Sequence, residues 1–319
     1  MIRSEPGHTR EREPAPKPNS PRGSFGQSFM KRIVAGIDES DRSLAAVQSS
    51  SRLADALHSR LEFVQAIDVQ RPNESNIDVA HVAATNAQTL SNAWTDCVQW
   101  LKTELGNDHS LFIESMVHVA SGSPAQVLCR HAQESRASLL VLGDCIRRGE
   151  FGSTWRACLA KAPCPLWFQK GPARPIRNIL APIDFSEDSI VTLILAMRLA
   201  DAMGASLTAL HCLAESENRI GERDTGFATE LETALARRLG STSDLLPNRR
   251  GRFEARLVEG EPRSTLLTAA PEADLVVMCT HGGTGLAREV PGGVSLSMVK
   301  HSRVPTLVVP SKRSDWLLE

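Results

Sequence analysis

The chain has 319 residues, enough for two domains of ordinary size that each bury a core. Lys and Arg number 36 against 37 Asp and Glu, a formal charge of −1, and no long block of like charge points to nucleic acid or a membrane surface as partner. No apolar run reaches the ~20 residues of a membrane span, and seven cysteines without a C-x-x-C pair suit a reducing compartment, where a thiol is mostly a small buried hydrophobe.

Residues 1–30 hold five prolines and no apolar run, and read as a disordered tail rather than a signal peptide or a core element. Met30, followed by Lys31-Arg32-Ile33, is an alternative start. Short β-branched runs then alternate with longer helical patterns, the signature of a parallel α/β sheet. Strands are predicted over 33–37, 61–67, 111–119, 138–143 and 165–169, and QKGPARPIR (169–177), with Gly and two Pro, is a linker. The pattern then begins again with a strand at Asn178–Ile183. Ser186, with Asp188 and Ser189 behind it, caps a helix whose apolar positions are Val191, Ile194, Leu195, Leu199 and Ala202, and Gly204 closes it. LTALHCL (207–213) is a strand, FATELETALARRLG (227–240) a helix and FEARLVEG (253–260) a strand, after which Pro262 suits the first turn of a helix. DLVVMC (274–279) and TLVVP (306–310) are the last two strands.

The second half repeats the first. RLADAL (52–57) returns as RLADAM (198–203), and Ile37-Asp38 returns as Ile183-Asp184, both 146 residues on. GSP (122–124) parallels GEP (260–262), SLLVLG (138–143) parallels DLVVMC, and CPLWF (164–168) parallels VPTLV (304–308). Five landmarks in one order mean a duplicated domain, and the period is too long for a solenoid.

Ligands of open parallel sheets collect beyond the carboxyl ends of the strands, where helix N-termini present unpaired N–H groups. Asp38 and Asp184 follow the first strand of each half, and CTHGGTGLAREVPGGVS (279–295) follows the fourth strand of the second. Glycines at 282, 283, 285, 292 and 293 permit the close backbone approach a phosphate needs, although a ligand-free surface loop has the same composition. A P-loop, a complete G-x-G-x-x-G (Arg288 stands at its third glycine), a G-x-S-x-G elbow and an H-E-x-x-H are all missing. Cys129-x-His131 and Cys279-x-His281 have no second pair at zinc-site spacing, so no metal site is expected.

RNILAPIDFSEDS, LHCL and ADLVVMCTHGGTGLAREVPGGVSLSMVKHSRVPTLVVP, with their first-half counterparts, resemble the universal stress protein family in its tandem form, over about residues 31–311. The resemblance implies an α/β fold of two doubly wound domains, each a five-stranded parallel sheet of order 3-2-1-4-5 with helices on both faces. It implies a tail at 1–30, a first repeat at 31–170, a second at 171–311 and a C-terminal tail at 312–319. It further implies a cytoplasmic stress-response role and two repeats paired through their last strands, as in the family's homodimers. A homodimer of the tandem chain is a further expectation.

Family members divide into ATP binders and non-binders, and the binders carry G-x2-G-x9-G-[ST] after strand four. In the second repeat this pattern places Cys279 at the first glycine, Gly282 at the second, Gly292 at the third and Gly293 at the Ser/Thr. Val294 and Ser295 extend the phosphate cradle, Ser295 through its hydroxyl. Pro182 and Asp184 match the segment near the adenosine moiety, and the Cys212 backbone matches the adenine contact. His211 and His281 stand where the family often has His, and a packed histidine is the simpler reading of each. In the first repeat Gly143 is followed by Ile146, and five residues instead of nine precede Gly152-Ser153, so that copy reads as degenerate. The implied ligand is ATP or a related adenine nucleotide, with magnesium as a companion ion, in the second repeat; the alternative is a dimerising scaffold that binds no nucleotide. Catalysis is expected to be slow ATP hydrolysis at most. Phosphoryl transfer needs positioned cations, and Arg288 is the one cation near the loop.

Overall fold

A computed structural model describes residues 29–67, 79–106, 112–144, 152–213, 220–239, 253–280 and 292–311. The first half runs β1 (Arg32–Ile37), α1 (Asp41–Leu57), β2 (Arg60–Ile67), α2 (Val79–Leu105), α3 (Ile113–Met116), β3 (Val117–Ser121), α4 (Pro124–Glu134), β4 (Leu139–Leu142), α5 (Ser153–Lys161) and β5 (Leu166–Phe168). The second runs β6 (Asn178–Ile183), α6 (Glu187–Met203), β7 (Ser206–Leu213), α7 (Ile220–Leu239), β8 (Phe253–Glu259), α8 (Pro262–Ala269), β9 (Leu275–Cys279), α9 (Gly293–His301) and β10 (Thr306–Val309). No helix among the described residues is long and apolar enough to cross a membrane.

Local chemistry explains the repeated elements. Ser40 and Ser186 cap α1 and α6, each hydroxyl accepting from the backbone N–H three residues on. Both helices end in a left-handed residue whose N–H turns back to the last carbonyls. In the second half that residue is Gly204 at φ 65°, but in the first it is His58 at φ 51°, which carries a Cβ into a region that disfavours one. Pro262 and Pro124 occupy the first turns of α8 and α4.

The strands form one sheet of order β3-β2-β1-β4-β5-β10-β9-β6-β7-β8. Within each half the order is the expected 3-2-1-4-5 and the pairing is parallel. The two five-stranded sheets are fused, because β5 and β10 pair antiparallel through Leu166↔Val308, Trp167↔Leu307 and Phe168↔Thr306. Each would otherwise be an exposed apolar edge.

Two cores result, one on each face, and both run across the junction of the halves. One lies beneath α1, α2, α6 and α7 and includes Ile33, Phe63, Leu101, Ile194, Leu235 and Trp167. The other lies beneath α4, α5, α8 and α9 and includes Leu140, Trp155, Leu166, Leu210, Val276 and Met298.

Two expectations change. The third strand of the first half begins at Val117 rather than at 111, because Ile113–Met116 is a helical turn. Ile113 and Val117, four residues apart and both buried, face one core, which is helical rather than strand spacing. The tail boundary also moves. Met30 is fully buried and Phe29 packs against the same core, so neither belongs to a tail.

Candidate functional site

In the second repeat the chain order reverses at β6: β7 lies on one side of it and β9 on the other. This is the switch point at which a parallel sheet opens a crevice. Strands lie about 4.8 Å apart, so β7, β6 and β9 bring the ends carrying Cys212, Pro182–Asp184 and Cys279 side by side.

β6 and β9 keep a shorter ladder here. They pair only at Ile179↔Leu275 and Leu180↔Val276. In the first repeat, β1 and β4 stay paired through Gly36↔Leu142. The difference falls on one residue. The Asn178 carbonyl accepts from Asp274 N, so it faces β9, and with the period of two so do Leu180 and Pro182. Pro182 has no N–H to donate to β9, whereas Gly36, at its position in the first repeat, has one.

Asp184 is exposed at the lip of the crevice. Its Oδ1 accepts from Ser186 N at 3.0 Å and Ser186 Oγ at 2.5 Å, which ties the carboxylate to the start of α6. Phe185 follows at φ 60°, a strained backbone for a bulky side chain. Its ring is held edge-on to His211 at 5.2 Å and to Phe227 at 5.8 Å, while His211 and Phe227 stack at 5.9 Å. His211 Nδ1 donates to Ile183 O at 2.7 Å, a contact that fixes its tautomer because a carbonyl can only accept. His211 is thus a packed residue supporting the lip. Cys212, next along β7, turns its thiol to the opposite face against Thr265 and Glu261, and burial pushes its pKa up to about 11.

Beyond Cys279, the half-buried last residue of β9, Thr280 gathers the base of the glycine loop. Gly292 N donates to Thr280 O at 2.8 Å, and the single hydrogen of Ser295 Oγ is shared between Thr280 O and Gly292 O, both at 2.9 Å. The loop's ends therefore meet. Ser295 is 2% exposed with its hydroxyl committed, so the expectation that this hydroxyl reaches a phosphate is corrected. Gly292 caps α9 at φ −60°, an extended backbone any residue adopts, so its value lies in close approach and not in φ. Among the described residues, a Cβ at Gly293 would meet nothing within 4 Å. The amides of Gly293, Val294 and Ser295 precede the first bond of the helix, Leu296 N to Gly292 O. His281 and Gly282 lie outside the described residues, as does Arg288.

The first repeat fills the corresponding space. Asp38 Oδ1 accepts from Ser40 Oγ at 2.5 Å and from Ser43 Oγ, and Glu39, at φ 57°, accepts from Gln65 Nε2 where the second repeat has Phe185 and His211. A Cβ on Gly143 would come within 2.6 Å of Arg42 O, so that glycine lets α1 pack against the end of β4. Trp155 stands where the second repeat has Ser295. It is buried, donates to Gly143 O at 3.0 Å, contacts Phe168 at 4.7 Å and lies 4.5 Å beneath the Lys170 ammonium. Lys170 also pairs with Asp144 at 3.1 Å. Nothing in the sequence pattern alone links Trp155 and Lys170 to this end of the sheet; a repeat-to-repeat alignment, read for the bulk and charge at each position, is the signal that finds them.

The chain matches the universal stress protein family twice, over residues 30–170 and 175–310. A universal stress protein of Mycolicibacterium smegmatis is 26% identical over 295 residues, covering 87% of this chain and 96% of that one. One from Mycobacterium bovis is 26% identical over 232 residues, 69% of this chain and 75% of the relative. Among solved structures, a universal stress protein from Archaeoglobus fulgidus superposes with a TM-score of 0.61 at 15% identity, covering 89% of this chain and 98% of its own. A functionally unknown protein from Pseudomonas aeruginosa gives 0.57 at 18% identity, with coverages of 91% and 96%. With two copies of the matching domain filling most of its length, this chain belongs to the universal stress protein family in tandem form.

Proposed function

We propose that the second repeat binds ATP or a related adenine nucleotide, one per chain, as a regulatory ligand in a cytoplasmic stress response. The observation that carries this reading is the end of β6–β9 pairing at Leu180, where Pro182 offers β9 no N–H, set against the β1–β4 ladder that runs on through Gly36. The switch point has a carboxylate at its lip, Asp184, suited to ribose hydroxyls, and the Cys212 backbone beside it for the base. The first-turn amides of Gly293, Val294 and Ser295 present donors and a dipole worth roughly 0.3–1 kcal/mol per charge to phosphate. Among the described residues nothing crowds Gly293, which suits close approach of the ligand. His281 and Gly282 belong to the same proposed loop, and a magnesium ion would accompany a triphosphate. The first repeat is the degenerate copy: an indole and a Lys–Asp pair occupy the position, and Asp144 repels phosphate.

A second reading is favoured by Cys279 and Gly293, which depart from the family's nucleotide pattern, and by the committed Ser295 hydroxyl. In it the chain is a scaffold that binds partner proteins without nucleotide. Nucleotide content of freshly purified protein, followed by calorimetric titration of ATP with magnesium, separates the two. The nucleotide reading expects one site per chain, abolished by Gly292→Val, weakened by Asp184→Ala and unchanged by Asp38→Ala. Two sites, or a larger loss from Asp38→Ala than from Asp184→Ala, refutes the assignment; no binding by the wild type refutes the nucleotide reading and favours the scaffold.

A further inference from the structure

At the amino end of the first repeat's sheet, opposite the crevices, three metal-binding side chains converge from different elements. Glu62 comes from β2, His118 from the edge strand β3 and His131 from the last turns of α4. One ligand atom from each lies within 4.8 Å of the others. His131 Nε2 is 2.8 Å from Glu62 Oε2, and the two imidazoles face each other at 4.5 Å. Arg32 holds the other carboxylate oxygen, Oε1. The geometry points to a divalent transition-metal site, with zinc as the ion best suited to it.

The chemistry matches. Two imidazoles and one carboxylate are a borderline-soft set that suits zinc, and three protein ligands leave a fourth position for water. Glu62 and His131 are largely shielded, with side-chain exposures of 13% and 19%, while His118 is exposed and gives an ion a path in from solvent. Ligand atoms around tetrahedral zinc are about 3.3 Å apart, given bonds of about 2.0–2.1 Å. Small rotations of the exposed His118 ring close the remaining gap, and zinc takes the place of the direct contact between Glu62 and His131. Arg32 fixes the carboxylate so that Oε2 faces the imidazoles, in the manner of an outer-shell partner. Its positive charge also weakens the site, which sets the expectation of moderate rather than structural-zinc affinity.

The fold itself does not require these residues. The strand registers pair Leu180 with Thr208 where the first repeat pairs Val34 with Glu62, and Leu210 with Arg256 where it pairs Val64 with His118. His131 corresponds to Ala269, seven residues after the first-turn proline in each helix. The second repeat therefore builds the same strands and helix with Thr208, Arg256 and Ala269. All three ligands are present in one copy and all three are missing from the other. Cys129, whose spacing to His131 looked like a ligand pair, instead hydrogen-bonds to Cys158.

The test uses the untagged full chain, stripped with chelator and free of nucleotide, titrated with zinc against a competing indicator and, separately, with cobalt followed by its visible spectrum. The wild type is expected to bind one zinc more tightly than any remaining thiol sites, and to give the intense absorption of low-symmetry cobalt. His118→Gln, a surface change, and His131→Gln should each lower the affinity at least about tenfold and remove the cobalt bands while leaving the far-UV circular dichroism unchanged. Equal zinc affinity in wild type and the His118→Gln/His131→Gln double variant would overturn the site and leave Arg32–Glu62–His131 as an ion-pair cluster. Because nucleotide is absent, the outcome is independent of the crevice.

Discussion

Replacing Trp155 tests the claim that the first repeat is closed by its own packing. The indole is 1% exposed and sits in the core beneath α4 and α5. Trp→Ala at such a site costs about 3–5 kcal/mol. The bond to Gly143 O contributes about 1 kcal/mol of this and the Lys170 contact about 0.5–2 kcal/mol, with lost packing making up the rest. Trp155→Phe keeps most of the packing and gives up the N–H, so a loss of about 1–2 kcal/mol is expected. Urea denaturation followed by circular dichroism measures both. The shared sheet and the two continuous cores predict a single transition, which licenses the two-state treatment. A loss below about 1 kcal/mol for Trp155→Ala, or equal losses for the two variants, would refute the reasoning.

Ser295→Ala should cost about 1–2 kcal/mol, since a buried hydroxyl joining Thr280 O and Gly292 O is removed; a neutral result in the same denaturation assay would contradict the closed loop base. His58→Gly should stabilise the chain by about 0.5–1 kcal/mol, because the left-handed cap of α1 then resembles that of α6, and a lower urea midpoint would count against it. Residues 176–319 expressed alone expose the edge of β10 and should dimerise or aggregate in sedimentation velocity; a stable monomer would argue against the β5–β10 junction. Burial raises Cys97 to about 12 and Cys212 to about 11, so both stay thiols in the folded chain while they ionise near 9 when unfolded. Their contribution to stability is therefore complete below pH 9 and lost as pH climbs toward those values. Both should resist iodoacetamide at pH 9 in native protein and react in urea, as mass spectrometry of the labelled peptides would show.

The duplication, the fold class and most element boundaries were legible in the sequence because they rest on local chemistry. Alternation of period two marks strands, Ser40 and Ser186 cap the helices that follow, and Gly204 ends one of them in a conformation only glycine adopts cheaply. The end of the sheet proposed for the ligand follows from the fold class, since a parallel sheet dictates where its ligands collect. Tertiary structure decided the rest, because it depends on which distant groups meet. Pro182 is placed near the adenosine moiety by resemblance, and only the register shows its missing N–H turned toward β9. Ser295 reads as a phosphate donor until burial commits its hydroxyl to Thr280 and Gly292. Trp155 carries no local mark in the sequence, and only packing sets its indole against Gly143 O beyond β4. Glu62 and His131, 69 residues apart in the chain, share no local pattern, and only parallel pairing with the crossover helix above it brings them to 2.8 Å. Periodicity records which face of an element is apolar, whereas the meeting of polar groups across strands is set by register and packing, which no local stretch of sequence contains.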